Sequence, residues 1–335
     1  MWLTSSSIGR KFVMALTGIC LVLFVTFHVL MNSVALLWPA AYNSICEFLG
    51  ANWYALVASI GLAVLFIIHI IYAVWLTVQN RAARGSDRYA VTSRPPQVEW
   101  SSKNMLVLGF VVVAFLIVHL IQFWAKMQLT EILSEGNPAA FTEIDGAAAA
   151  PAFGTLFLQE AFSCIWTPII YIVGFIALWF HMTHGFWSML HSVGWDNNHW
   201  LPRLKCIANW WTSIVVLLFV AQAVLFTVQA NNKFFLNDPA LQDQYAEYWG
   251  EQAEETLTEF NTTFANAVKD AKDQATFATA QQNFINQYGQ QFIDRINVID
   301  KARETMCPDA VSEPLNQAKG LKEQLEMYMQ QNSNN

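Results

Sequence analysis

Five stretches of the chain, roughly 12–37, 53–79, 104–128, 157–190 and 207–230, are apolar for 20 residues or more, the length a helix needs to cross a bilayer core. Short polar connections separate them. After residue 231 the pattern changes to a Gln-, Asn- and acid-rich sequence with apolar positions at helical spacing: Phe284, Tyr288, Phe292, Ile296 and Ile299, then Leu321, Leu325 and Tyr328. Pro239, Pro308 and Pro314 punctuate this second region. The pattern predicts an all-α fold: a five-helix integral membrane bundle over 1–231, and over 232–335 a helical extramembrane extension, a small bundle or hairpin.

Composition sharpens the division. Of the 335 residues, 55% are hydrophobic and only 13% charged, about half the charge fraction of a soluble domain. The formal net charge of −7 is a near-neutral body plus an acidic tail, since 8 Lys+Arg oppose 16 Asp+Glu after residue 231. Nothing in this balance supports nucleic-acid binding. Basic residues cluster before the first span (Arg10, Lys11), in the second connection (Arg81, Arg84, Arg88, Arg94, Lys103) and in the fourth (Arg203, Lys205). The positive-inside rule therefore places the N-terminus in the cytoplasm and exports residues 232 onward. Arg10-Lys11 before an apolar run imitates a signal peptide, but the run exceeds an h-region. The five cysteines show no metal-type spacing, and neither a dinucleotide fingerprint nor a P-loop occurs.

The candidate chemistry is histidine. Of seven, His28, His69, His119, His181 and His184 lie inside apolar runs, where an unpaired polar side chain is costly. Spans 1, 2 and 3 hold one each and span 4 holds a pair, the inventory required for two haems that each take one imidazole from each of two facing helices. At ~1.5 Å per residue, His28 and His119 lie roughly 25 Å from their basic edges, His69 about 18 Å and His181 about 16 Å. Depth thus pairs His28 with His119 toward the exported side and His69 with His181 toward the cytoplasm. A ligating imidazole leaves its second N–H for an acceptor, expected to be a backbone carbonyl one turn earlier. His184, three residues from His181, shares its helix face and is a second candidate ligand or a propionate contact. Arg10, Lys11, Arg81 and Arg84 are candidate propionate partners, and equally ordinary topology-setting charges. His191 and His199 read as solvated.

Over about residues 5–231 the sequence resembles the single-chain, five-helix dihaem cytochrome b subunit of succinate dehydrogenases and fumarate reductases. The motifs are "SSSIGRKFVMALTG" leading to "FVTFHVLMNS", then "AYNSICEF", "FIIHIIYAVWL", "LIVHLIQFW" and "FHMTHGFWSMLHSVGW". In that family the ligand stands four residues before the glycine of a G-[LF]-[WY] sequence, here Gly185-Phe186-Trp187, a register that selects His181. The opening motif looks most like Bacteroidetes-type members. The resemblance implies two haem b groups, menaquinone or another quinone as substrate, and a flavoprotein with FAD and an iron–sulfur subunit as cytoplasmic partners. It also implies a bacterial inner-membrane location with the extension in the periplasm, and a possible dimer of heterotrimers. Trp179 stands where some members carry a proton-conducting carboxylate, and Glu47 is the nearest candidate quinone proton acceptor, two positions out of register. The tail lies outside the family pattern. Rival readings are a cytochrome b of a hydrogenase or formate dehydrogenase complex, which tends to place two ligands on one helix, and a non-haem transporter, which the absence of inverted repeats disfavours.

Overall fold

The computed structural model describes residues 6–84, 100–134, 136–195 and 197–333. The chain divides into two compact units, 1–123 with 161–232, and 124–160 with 233–335.

The first unit holds the membrane helices, except for the end of the third span beyond residue 123. Ser6 caps α1 (Ser7–Leu37), its hydroxyl accepting from the Gly9 N–H at 2.9 Å. Trp38-Pro39 ends α1 and opens α2 (Pro39–Ala51), as expected where a proline excludes helical backbone at the preceding residue. Then follow α3 (Trp53–Arg84) and α4 (Trp100–His119), whose chain continues past His119 in a wider π-type winding, Leu120–Leu129. Five helices are long and apolar enough to cross a membrane: Ser7–Leu37, Trp53–Ala83, Trp100–Ser134, Trp166–Ser192 and Leu201–Asn231.

Two sequence expectations shift. The first connection is itself a helix, α2. Residues 157–163, read as the start of the fourth span, belong to a separate helix, Gly154–Ser163, after which the span proper begins at Trp166. The cause is that Leu156, Phe157 and Leu158 are apolar because they are buried, which hydropathy alone does not distinguish from facing lipid.

Within the first unit α7 (Trp166–Ser192) packs on α8 (Leu201–Asn231), α4 and α1, while α1 also meets α3 and α8. The contacts rest on small residues, as they must where lipid supplies no hydrophobic drive between helices. Ala15, Thr17, Ala35, Ala177, Ala208, Thr212 and Ala223 are all buried. At Gly174 the approach is closest: a Cβ there would stand 2.5 Å from Phe115 Cγ. Interhelical hydrogen bonds add to this. Gln222 donates to the Val29 carbonyl at 2.8 Å and to Ser33 Oγ at 2.9 Å, and Trp179 Nε1 donates to Ser213 Oγ at 2.9 Å.

The second unit holds α5 (Thr130–Ser134), a hairpin of β1 (Thr142–Ile144) and β2 (Ala147–Ala149), α6 (Gly154–Ser163, to residue 160), the short α9 (Phe234–Asn237), and three long helices. Asp145 and Gly146, both at positive φ, make the hairpin's two-residue turn. The long helices are α10 (Pro239–Val268), α11 (Gln274–Met306) and α12 (Glu313–Ser333). Phe284, Ile285, Phe292, Ile293 and Leu325 form their core with Phe260, Phe264, Tyr288, Leu321 and Tyr328 around it. The extension is therefore a three-helix bundle, with the periodic positions of its sequence inside. Lys126 and Glu160 form an ion pair at 2.6 Å in the same unit, and Thr155 and Tyr245 bond through their hydroxyls at 2.9 Å.

Candidate functional site: two imidazole pairs

Four membrane helices each deliver one histidine, and the four meet in two pairs. The His28 (α1) and His119 (α4) rings are 5.8 Å apart centre to centre, nearly perpendicular at 86°. The His69 (α3) and His181 (α7) rings are 6.4 Å apart at 64°. These are the partners that equal depth sets together. All four rings are half-buried.

Three helices independently measure the separation of the pairs. On α1, Thr17 and Gly18 touch His69, while His28 belongs to the other pair. On α4, Gly109 lies against His181 and His119 is ten residues on. On α7, Tyr171 bonds His119 and His181 is ten residues on. Ten or eleven residues of helix make about 15–16 Å, or roughly three turns, so along each of these helices the two contributions stand about three turns apart.

The surroundings of the pairs are polar and small. His69 Nδ1 lies 3.0 Å from Thr17 Oγ1. His119 Nδ1 lies 3.2 Å from the Tyr171 hydroxyl, which donates to Gln122 Oε1 at 2.9 Å; Gln122 Nε2 in turn donates to Thr167 Oγ1 at 3.2 Å. Sequence reasoning assigned these second nitrogens to carbonyls one turn earlier; at His69 and His119 hydroxyls from neighbouring helices lie there instead. Tyr171 also packs edge-on to Phe115 and Phe162, which walls its hydroxyl in. His28 differs: its Nε2 is 3.2 Å from Asn32 Nδ2, which donates to the His28 carbonyl at 2.8 Å, while Tyr42 donates to Asn32 Oδ1 at 3.2 Å. His181 Nδ1 is buried without a hydrogen-bond partner. Beside two of the rings the backbone carries no side chain: a Cβ on Gly18 would lie 3.8 Å from His69 Cε1, and one on Gly109 3.6 Å from His181 Cε1.

Two imidazoles ligating one iron from opposite sides, each nitrogen about 2 Å from the metal, put their ring centres roughly 6 Å apart. The observed separations bracket that value. The buried His181 Nδ1 without a hydrogen-bond partner and the facing of the rings in pairs fit a group shared by two imidazoles. At His28 the Asn32 amide would have to yield Nε2. Among the described residues no three His, Cys, Asp or Glu side chains gather as a metal-binding group, so the arrangement offered is pairwise.

Family models, curated proteins and solved structures were compared with the chain, and none matches.

Of the other sequence-derived candidates, His184 is near enough to His181 to interact with it electrostatically, and its ring meets Trp187 edge-on, centres 4.9 Å apart. Arg10 lies 5.3 Å over the Trp75 ring, and Gln79, with its amide oxygen turned toward them, accepts from Trp75 Nε1 at 2.7 Å and Arg10 Nη1 at 3.3 Å. Lys11 and Arg81 are exposed, as is Glu47 on α2, and the Arg84 side chain, Arg88 and Arg94 lie outside the described residues. Trp179 bonds to Ser213 and carries no ionisable group. Sequence reasoning missed Thr17, Tyr171, Gln122 and the two glycines. Threonine and tyrosine in an apolar run are unremarkable, and only the rotation of each helix against its neighbour brings them to a ring.

Proposed function

We propose that this chain is the dihaem cytochrome b subunit and membrane anchor of a succinate:quinone oxidoreductase in a bacterial inner membrane. One observation carries the reading: four histidines on four spans converge as two pairs, separated along the bundle by about three helical turns. His28 and His119 would hold one haem b and His69 and His181 the other. When bound, these groups supply one-electron transfer at two depths of the membrane.

The protein's part is to bind, orient and insulate. Each imidazole is set by its helix, and the tight α4–α7 contact at Gly174 fixes the spacing of two of the four supplying helices. Phe115, Phe175 and Phe219, packed ring to ring beside His119 and His28, shield that pair from bulk water. Menaquinone or another quinone is the proposed substrate, with Glu47 the candidate proton acceptor. A flavoprotein and an iron–sulfur subunit would supply FAD, the clusters and the dicarboxylate site from the cytoplasmic side. The basic-residue bias supports a cytoplasmic N-terminus and a periplasmic extension.

The test is a reduced-minus-oxidised spectrum of the purified protein. Two b-type haems are expected, one lost in His28→Ala and the other in His69→Ala. Absence of b-type absorbance sinks the proposal. Co-purification of flavin and iron–sulfur subunits separates it from a cytochrome of another quinone-linked complex, and a reporter fused at Asn335 should be active outside the cytoplasm.

A further inference from the structure

In each imidazole pair one ring is tethered by a hydroxyl from a different helix and its partner is not. His69 is held by Thr17 and His119 by Tyr171, whereas His181 has no partner at Nδ1 and His28 meets an amide at Nε2. The direction of the tethering bonds follows from where the hydroxyl protons go. A hydroxyl has one proton to give and two lone pairs to receive with. Thr17 Oγ1 donates to the backbone carbonyls of Val13 at 3.0 Å and Met14 at 3.1 Å, oxygens that can only accept. With its proton on those carbonyls its lone pairs are left for His69, and Nδ1 of His69 is then the donor. Tyr171 repeats the construction: its proton goes to Gln122 Oε1, and the Gln122 amide is oriented by giving its own N–H to Thr167 Oγ1.

We infer that Thr17 and Tyr171 are positioning residues that lock His69 and His119 as Nδ1–H tautomers, leaving the Nε2 lone pair of each as the ligating atom. The inference deepens the haem reading, on which its second test rests, but its first does not. A neutral imidazole in water populates both tautomers. Here the choice is made before any ligand arrives, by a hydroxyl whose proton is already committed. Each tether is also an acceptor on the ring's far nitrogen, which increases electron donation through Nε2. Each pair thus carries its own adjustment, on separate helices, and the two can be altered one at a time.

The first experiment needs no bound group. Nitrogen-15 shifts of the ring nitrogens in the full-length protein, isolated without haem, should report Nδ1–H for His69 and His119. Thr17→Val should release His69 alone into a tautomer mixture, Tyr171→Phe should release His119 alone, and Thr17→Ser should restore the wild-type spectrum. An Nε2–H form at either ring in the wild-type protein overturns the inference, whatever the spectrum of the haem-loaded protein shows. The second experiment is redox titration of the loaded protein. Loss of the acceptor weakens donation to ferric iron, so Thr17→Val should raise the midpoint potential of the His69/His181 haem and leave the other in place. Tyr171→Phe should do the reverse, and Thr17→Ser should return the wild-type value. If both haems bind and neither potential moves selectively, the tethers do not act on the ligands. If no b-type haem binds at all, the functional reading falls, and the nitrogen-15 result still decides the tautomers.

Discussion

The two units of this chain use opposite materials for inside and outside. In the five-helix unit the exposed positions are Leu23, Phe27, Ile60, Ile67, Ile71 and Val78, while small residues, Gln222 and Thr212 are buried. Across the most apolar window of α3 no residue is buried at all. In the second unit Trp249, Tyr245, Phe284 and Ile296 are buried, and the helix surfaces carry Glu, Gln, Asn and Lys. One chain thus follows two rules of burial. The difference lies in the solvent: water drives apolar surface inward, whereas lipid leaves packing fit and hydrogen bonds to hold helices together.

That contrast can be broken by substitution, and the largest effect is expected in the core of the water-type unit. Phe284→Ala should cost about 3–5 kcal/mol, read as lost amide-exchange protection across α10–α12 in the full-length protein; retained protection would mean the bundle core is not what holds those helices. Next comes a charge on the lipid-type surface. Ile67→Asp should cost about 2.5–3.5 kcal/mol of membrane insertion, whereas Val311→Asp, at a position more exposed still, should change stability by no more than about 0.5 kcal/mol. Equal penalties in a membrane-integration assay and a urea titration would erase the distinction between the two surfaces.

Third is the close approach of α4 and α7. Gly174→Ala drives a methyl into Phe115 and should cost about 1–3 kcal/mol, displacing the ring beside His119. Gly18→Ala meets its neighbours at ordinary contact distance and should be tolerated. A thermal melt of each, with ring-nitrogen shifts of His119, distinguishes them. The smallest effect sits at the tip of the extension. Asp273 caps α11 by accepting from the Thr276 N–H and hydroxyl, and these bonds hold its carboxyl below the ordinary range. Because the folded state favours the charged form, the cap's contribution is complete above the unfolded value of about 4 and is lost as pH falls through the lower folded value. Asp273→Asn should flatten that acid-side dependence of the melting temperature.

Much of this was legible in the residues for a physical reason. Histidine at membrane depth is conspicuous because it is costly, and rise per residue converts position into depth, so the facing of His28 with His119 and of His69 with the span-4 histidines follows from counting, while the choice of His181 over His184 comes only from the resemblance's register. The amphipathic period of the tail likewise marks the side chains that form its core. Hydropathy, however, does not separate an apolar residue facing lipid from one packed in protein, which is why Phe157 and Leu158 read as part of a span. The Asp145-Gly146 turn signal was present in the sequence but sat among short strands that periodicity does not detect. Thr17 and Tyr171 stayed hidden because their role depends on which way each helix faces its neighbour, a property of the packed bundle.

The ten- and eleven-residue intervals on α1, α4 and α7 have a further consequence for how this architecture can vary. One residue inserted between Thr17 and His28 would swing everything beyond it by about 100° around α1, turning His28 away from the face that Thr17 occupies. Only changes of three or four residues, made together on all three helices, restore the facing, and each moves the pairs apart or together by about 5 Å. The gap between the two imidazole pairs is therefore discrete: the bundle can be lengthened or shortened by whole turns, but not tuned continuously.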